Sequence, residues 1–136
     1  MKENLFYYAL TIAAIVLTAV CFTVFSAEGS YIVNFLNSYG YEVSEKPIET
    51  VKIKIPNPFD DVYENYNELQ LRAGFDLREY AGKNGTRYTY EVNNYADGTD
   101  GVRANVLVID GEIAGGDICT LKIDGFMHEI RENELA

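Results

Sequence analysis

The chain begins with a long apolar segment, which is followed by a region of short apolar patterns separated by polar turns. From Leu5 to Phe25 the sequence carries no charged residue. As an α-helix rising about 1.5 Å per residue, this segment would span roughly 30 Å, the thickness of a bilayer's hydrocarbon core. We therefore predict a transmembrane helix (a signal anchor) over residues 5–25, preceded by a short cytoplasmic N-terminus of residues 1–4.

The charges that flank this segment predict its orientation. Lys2 precedes it, and after it no basic residue occurs before Lys46. Because basic residues favour the cytoplasmic side, residues 26–136 are expected outside the cell. The alternative is a secreted protein released by signal-peptide cleavage. Val24-Phe25-Ser26 is a mediocre cleavage site and the apolar segment is longer than a signal peptide's, so an uncleaved anchor in the cell membrane is favoured.

Two stretches beyond the span have apolar residues at helical spacing. The first is predicted to form a helix over residues 30–39, with Ser30 as its cap and Gly40 at its end. The second has Asn57 as its cap, Pro58 in the first turn and Gly74 at its end. The apolar face of the first consists of Ile32, Phe35, Leu36 and Tyr39, and that of the second of Phe59, Val62, Tyr63, Tyr66, Leu69 and Ala73.

The remaining patterns are typical of β-strands. Alternating apolar residues predict strands over residues 50–55 and 87–92, and residues 102–109 become apolar on both faces, as in a central strand. Asp110-Gly111 is a strong hairpin signal, after which a strand is expected from Ile113 to Ile123. The predicted fold is α+β: an N-terminal transmembrane helix followed by a small domain with helices packed on one face of an antiparallel β-sheet.

Charge and cysteine content narrow the functional classes. The chain has 21 acidic and 11 basic residues, a net charge of −10, and nearly all of this charge lies beyond the span. Such a domain is repelled by nucleic acid and by anionic lipid headgroups. Cys21 lies within the predicted span and Cys119 far outside it, so no intramolecular disulfide is expected. Small-residue spacing in the span is too common in alanine-rich segments to assign an oligomeric state.

Several motifs occur in an order that resembles a known family. They are FDDVYENYNELQ at 59–70, GFDL at 74–77, RYTYEV at 87–92, GGDI at 115–118 and DGFMH at 124–128. In this respect the chain resembles a family of clostridial-type, Gram-positive proteins described as domain of unknown function 4830, over nearly its whole length. The resemblance implies a Gram-positive host and an anchored or exported domain. It implies no chemistry, so no site residue is carried over from it.

The candidate catalytic residues all lie in the stretch 114–128. Cys119 is expected on the same side of a strand as Leu121 and Ile123, which indicates a small core residue. The alternative is a nucleophile served by His128, the only histidine, with Asp117 and Asp124 in supporting roles. If Asp117 points inward, a salt bridge from Arg103 or Arg87 is its expected partner, and a ligand contact is the less favoured alternative.

Two glycine-containing segments also have both a structural and a ligand-binding interpretation. Gly115 and Gly116 precede a β pattern rather than a helix, so a bulge or close backbone approach is favoured over a phosphate loop. Together with Arg103 and Asp117 they are the candidate ligand-binding residues. The loop at 97–101 lacks the ligand spacing of a calcium-binding EF-hand loop, so no metal site and no cofactor are predicted.

These patterns favour a single-pass anchored bacterial protein whose acidic domain binds a protein, peptide or cell-envelope ligand without catalysis. One alternative is a cell-envelope hydrolase or transferase using Asp117, Asp124, His128 and Cys119. Another is a structural subunit of a membrane assembly, which an exposed apolar patch on the domain would favour.

Overall fold

The computed structural model of the chain describes the backbone of residues 2–134 and the side chains of residues 7, 8, 10–18 and 29–134. It confirms the predicted α+β fold with an antiparallel sheet, and the sheet of the described residues has five strands. The elements are α1 (Lys2–Ser38), β1 (Glu49–Lys54), α2 (Asp61–Arg72), a 3₁₀ helix (Leu77–Tyr80), β2 (Asn84–Glu91), β3 (Val102–Ile109), β4 (Glu112–Thr120) and β5 (Met127–Glu129).

The five strands form a meander in the order β1-β2-β3-β4-β5, and every neighbouring pair is antiparallel. The predicted hairpin turn connects β3 to β4: Asp110 and Gly111 both have positive φ, 53° and 77°. Such a two-residue turn matches the twist of the flanking strands. The β3–β4 register shifts between Leu107 and Val108. Leu107 faces Gly115 whereas Val108 faces Ile113, so Ala114 is the extra residue of a β-bulge.

Helices cover both faces of the sheet. On the first face, here called the α1 face, Ile32 and Leu36 of α1 pack with alternate strand residues such as Val106 and Ile118. On the opposite α2 face, Leu107 packs with a cluster that includes side chains of α2 and the 3₁₀ helix. The prediction that the helices occupy one face is therefore wrong. Strand β3 is apolar on both sides because each side is covered.

Helix α1 continues through the predicted gap between the apolar segment and the domain. Ser30 lies inside the helix rather than at its start. The predicted end is confirmed: Gly40 has a φ of 83°, and the Tyr41 amide donates to the Leu36 carbonyl at 3.2 Å. Within the described part of the chain, no helix is long and apolar enough to cross a membrane. Of the predicted span 5–25, the side chains of residues 5, 6, 9 and 19–25 lie outside the description.

Helix α2 begins three residues later than predicted. Its cap is Asp60, whose carboxylate accepts from the Tyr63 amide at 2.8 Å, and the cis Asn57–Pro58 peptide lies before the helix. The predicted apolar face is partly wrong, because the Val62 side chain is 75% exposed. The buried positions of α2 are instead the polar residues Asn67 and Gln70.

Candidate functional site

The predicted site residues on β4 belong to a buried polar network on the α2 face. Asp117 is only 3% exposed. One of its oxygens accepts from the Tyr66 hydroxyl at 2.7 Å and the other from the Asn105 amide nitrogen at 2.9 Å. Asn105 in turn accepts from the Thr89 hydroxyl at 2.7 Å. The network joins three strands to α2 and satisfies both carboxylate oxygens, so it stabilises the fold where a carboxylate would otherwise be buried without partners.

The donors to Asp117 are neutral side chains, so the prediction of an arginine partner is wrong. Arg87 donates instead to Glu49 at 2.8 Å. Arg103 lies opposite Cys119 in the β3–β4 register. The ion pairs among the described residues include neither Asp117 nor Arg103. Tyr66 was the residue missing from the prediction, because its hydroxyl reaches β4 from a helix 51 positions earlier in the chain.

Cys119 lies at the end of this network, in surroundings that disfavour its thiolate form. Its side chain is 7% exposed, and its Sγ accepts from the Asn105 amide at 3.4 Å. Burial, and secondarily the nearby Asp117 carboxylate, raise the pKa of the thiol to about 11. Because the thiolate is the nucleophilic form, the environment opposes rather than activates a nucleophile.

We expect Tyr66→Phe to destabilise the protein by about 2 kcal/mol, because a buried carboxylate oxygen loses a charge-assisted hydrogen bond. Burial and the Asp117 carboxylate also raise the pKa of the Tyr66 hydroxyl well above its usual value, so the hydroxyl stays protonated and donates. Urea unfolding of the full chain in mild detergent measures the change. Tyr63→Phe is the matched control on the same helix, since no side-chain hydrogen bond joins the Tyr63 hydroxyl to another described residue. Equal stability of the two variants would contradict the assignment.

Gly115 and Gly116 occupy positions with no room for a side chain. A Cβ on Gly115 would lie 2.5 Å from the Gln70 Oε1 atom, and one on Gly116 would lie 2.3 Å from the backbone oxygen of Asn105. The Gly116 amide donates to Gln70 Oε1 at 2.7 Å. The glycines therefore allow α2 and the neighbouring backbone to approach β4 closely, and their amides do not form a phosphate-binding loop.

His128 lies on the other side of the sheet from Cys119. In the β4–β5 register it faces Ile118, one residue away from Cys119, so the two side chains point to opposite faces. Its Nδ1 lies 2.7 Å from the Glu129 carbonyl oxygen and its Nε2 lies 2.8 Å from the Tyr95 hydroxyl. A carbonyl only accepts, so Nδ1 carries the proton and, in the neutral ring, Nε2 accepts from Tyr95. Both ring nitrogens are thus engaged in local hydrogen bonds.

The fourth catalytic candidate, Asp124, is exposed in the β4–β5 loop. The predicted strand to Ile123 is too long, since β4 ends at Thr120. As a result Leu121 is 70% exposed and Ile123 is fully exposed, rather than lying beside Cys119 in the core. Within the described residues, no group of three or more His, Cys, Asp and Glu side chains could hold a metal ion.

A different feature of the sheet remains available for contacts, namely the outer edge of β1. The Val92 amide donates to the Val102 carbonyl. Because successive residues of a strand direct their N–H and C=O groups to opposite sides, the even-numbered residues of β2 bond to β3 and its odd-numbered residues bond to β1. By the β1–β2 register, Glu49, Val51 and Ile53 bond to β2. The N–H and C=O groups of Thr50, Lys52 and Lys54 therefore point away from the sheet, and no described strand pairs with them.

An open cavity of about 450 Å³ lies beside this edge, on the α1 face. Lys52 forms its border, and the Lys52 ammonium donates to the Thr86 hydroxyl at 3.0 Å. The buried residues Val108 and Tyr88 contribute apolar surface to the cavity, and the exposed residues Asn84 and Asp110 also line it. The cavity and the β1 edge together form the candidate binding site, of which the sequence predicted only a strand over residues 50–55.

The family model described as Domain of unknown function (DUF4830) matches residues 35–118. The chain belongs to the DUF4830 family. No curated protein and no solved structure matches the chain.

The DUF4830 match covers the sheet and α2 but is shorter than the nearly full-length resemblance that the motifs predicted. It runs from the last turn of α1 to Ile118. It includes Arg103, Gly115, Gly116 and Asp117, and it ends one residue before Cys119. The DUF4830 region therefore contains the buried network around Asp117 and the open edge of β1, but not Asp124 or His128.

Proposed function

We propose that this DUF4830 protein is anchored in the cell membrane by one helix and that its extracytoplasmic domain binds a protein, peptide or cell-envelope ligand without catalysis. The observation that carries the proposal is the dispersal of the candidate catalytic residues. Asp117 and Cys119 are buried on one face, His128 lies on the other, and Asp124 is exposed in a loop. Catalysis needs a nucleophile or base within hydrogen-bond reach of its partner, and these residues lack that geometry.

The anchor is supported by the apolar surface of α1. Ile15, Val16 and Leu17 are consecutive residues and are all more than half exposed. Consecutive helical positions point in different directions, so the apolar surface surrounds the helix, as lipid contact requires. The same helix places Ile32 in the domain core. Ile32 lies seven positions after Phe25, about 10 Å along the helix, so the domain would lie directly at the membrane surface.

We expect the full chain, expressed in a Gram-positive bacterium, to remain in the membrane pellet after alkaline carbonate extraction. Ile15→Arg should shift part of the protein out of that pellet, since a charge at the centre of a span costs about 3 kcal/mol. The control is Thr50→Arg, which adds the same charge at an exposed position in the domain. Recovery of a shortened chain from the medium would show cleavage and secretion instead, and recovery of the intact chain in the carbonate supernatant would contradict the anchor.

The exposed β4–β5 loop favours a second candidate, a structural subunit of a membrane assembly. Leu121 and Ile123 in this loop and Met127 at the start of β5 are all more than half exposed, which is typical of a surface that packs against another molecule. Native electrophoresis of solubilised membranes tests this role. A subunit would migrate in a large complex that Leu121→Ser with Ile123→Ser disrupts, whereas migration of the wild-type chain alone, or in a complex that the double variant leaves intact, would contradict this second candidate.

A further inference from the structure

We infer that the free edge of β1 binds an extended, acidic segment of a partner protein, which adds to the sheet as a sixth strand. This inference rests on the proposed function as a binding domain, and it names the surface and the chemical class of the ligand. It is carried by three observations about one strand: unpaired backbone groups, two lysines at matching positions and a cavity on the same face.

The backbone groups supply the affinity. The N–H and C=O groups of Thr50, Lys52 and Lys54 point outward, by the register of β1 on β2. An added strand exchanges hydrogen bonds with these three residues while leaving every β1–β2 bond in place. In strand addition, such main-chain bonds hold the peptide and neighbouring pockets select its side chains.

The lysines supply the charge preference. Lys52 and Lys54 are exposed, and neither takes part in an ion pair with another described residue. Their side chains share the α1 face, because Lys52 faces Thr86, which in turn faces Val108. Alternate residues of an added strand would lie directly opposite them, where acidic side chains are favourable cross-strand partners. On a domain of net charge −10, this is a local basic edge.

The cavity lies on the same face of the sheet and runs from Lys52 over the neighbouring strands β2 and β3. Thr86 and Asn84 provide polar groups in the lining of the cavity. A glutamate opposite Lys52 is long enough to place its carboxylate at the border of the cavity, where the lysine and the Thr86 hydroxyl already meet at 3.0 Å. Glutamate at alternate positions is therefore preferred over shorter polar residues.

A second copy of the chain fits this edge less well than an acidic peptide. Two β1 strands paired in an antiparallel manner would bring lysines from one copy against lysines from the other, and like charges across strands are destabilising. Lysines on edge strands commonly prevent such self-pairing. The same charges that repel a second β1 strand attract an acidic one.

The test uses the full chain in detergent micelles and a synthetic peptide of about eight residues in which glutamate alternates with valine. The control peptide has lysine in place of glutamate. Fluorescence anisotropy should show saturable binding of the acidic peptide, with no binding of the basic peptide. Added salt should weaken the binding, because the pairs are exposed and screened. Amide hydrogen exchange measured by NMR should slow at Thr50, Lys52 and Lys54 when the acidic peptide is present, with little change at Val51 and Ile53, which are already bonded to β2.

The matched variants carry equal changes in charge. Lys52→Glu with Lys54→Glu turns two attractive cross-strand pairs into repulsive ones, so we expect roughly tenfold weaker binding. Lys46→Glu with Lys122→Glu changes the net charge equally, outside β1, and should leave binding nearly unchanged. All four side chains are exposed, and an unchanged unfolding midpoint would verify that each variant folds.

Three results would overturn the inference: no binding of the acidic peptide, equal weakening by both double variants, or slowed amide exchange elsewhere in the domain. Concentration-dependent protection of the β1 amides without any peptide would identify a second copy as the occupant and would also overturn it. None of these results bears on membrane extraction or on the reactivity of Cys119. Failure of the edge site is thereby distinguishable from failure of the proposed function.

Discussion

Asn67→Ala is expected to lower the free energy of unfolding by about 3 kcal/mol, because it removes a buried amide that bonds to two groups. Asn67 is fully buried on α2. Its side-chain oxygen accepts from the Leu77 amide at 2.7 Å, and its nitrogen donates to the Asp76 carboxylate at 2.9 Å. Alanine would leave the Leu77 amide without a partner inside the protein and would leave a cavity between α2 and the 3₁₀ helix.

Urea unfolding followed by circular dichroism and tyrosine fluorescence measures this loss, since the chain has 11 tyrosines and no tryptophan. The control is Asn65→Ala, an exposed position on the same helix, where alanine should be neutral or slightly stabilising. A loss below about 1 kcal/mol would contradict the assignment, because it is smaller than the cost of one unsatisfied buried amide.

The same substitution has a second readout in the titration of Asp76. The Asn67 hydrogen bond, followed by the Arg78 amide, lowers the pKa of Asp76 below its usual value. A lowered folded-state pKa means that this contribution to stability is present above the pKa of the unfolded chain and is lost as pH falls through the folded value. In Asn67→Ala, NMR titration should show the Asp76 pKa closer to that of an ordinary aspartate. An unchanged value would show that the hydrogen bond does not form.

Gly116→Ala is expected to destabilise the domain by about 3 kcal/mol through overpacking at the centre of the sheet. The new methyl group would lie 2.3 Å from the Asn105 backbone oxygen and 2.6 Å from the Ile130 Cδ1 atom. The first of these contacts is with backbone, which moves only if the β3–β4 ladder is distorted. Such a distortion would also disturb the Asn105 bond to Asp117 and the bond from the Gly116 amide to Gln70.

The unfolding midpoint of the full chain in detergent measures this effect. Gly29→Ala is the control, because no atom lies within 4 Å of the added Cβ and its φ is not in the left-handed region. Alanine is also the better helix former, so this control should be neutral or stabilising. Unfolding of Gly116→Ala at the same urea concentration as wild type would show that β3 and β4 do not approach each other this closely at Gly116.

The sequence predicts those parts of the fold that depend on local patterns. The Asp110-Gly111 turn, the end of α1 at Gly40 and the alternation in β2 each follow from a few neighbouring residues, and the structure confirms them. The start of α2 and the end of β4 were missed. Asp60 displaced Asn57 as the cap, and the turn after Thr120 ended a pattern that remains apolar through Ile123.

The polar interior could not be predicted, because it depends on long-range contacts. Asn67 and Gln70 are four and seven residues after Tyr63, so their helical spacing placed them on the buried face. Their burial is favourable only because the Leu77 and Gly116 amides donate hydrogen bonds to their side-chain oxygens. The same reason applies to Asp117, whose Tyr66 partner comes from another layer. The open edge of β1 depends on the strand order, which no local pattern specifies.

A non-catalytic role is tested most directly by the reaction of Cys119 with a small thiol reagent across a range of pH, in the full chain carrying Cys21→Ser so that one thiol remains. We expect little labelling of the folded protein near neutral pH, a midpoint near the raised thiol pKa of about 11, and complete labelling after unfolding. Fast labelling of the folded protein, with a midpoint below the ordinary thiol value of about 8.5, would reveal an exposed thiolate. That result would contradict a non-catalytic role and favour an enzymatic one.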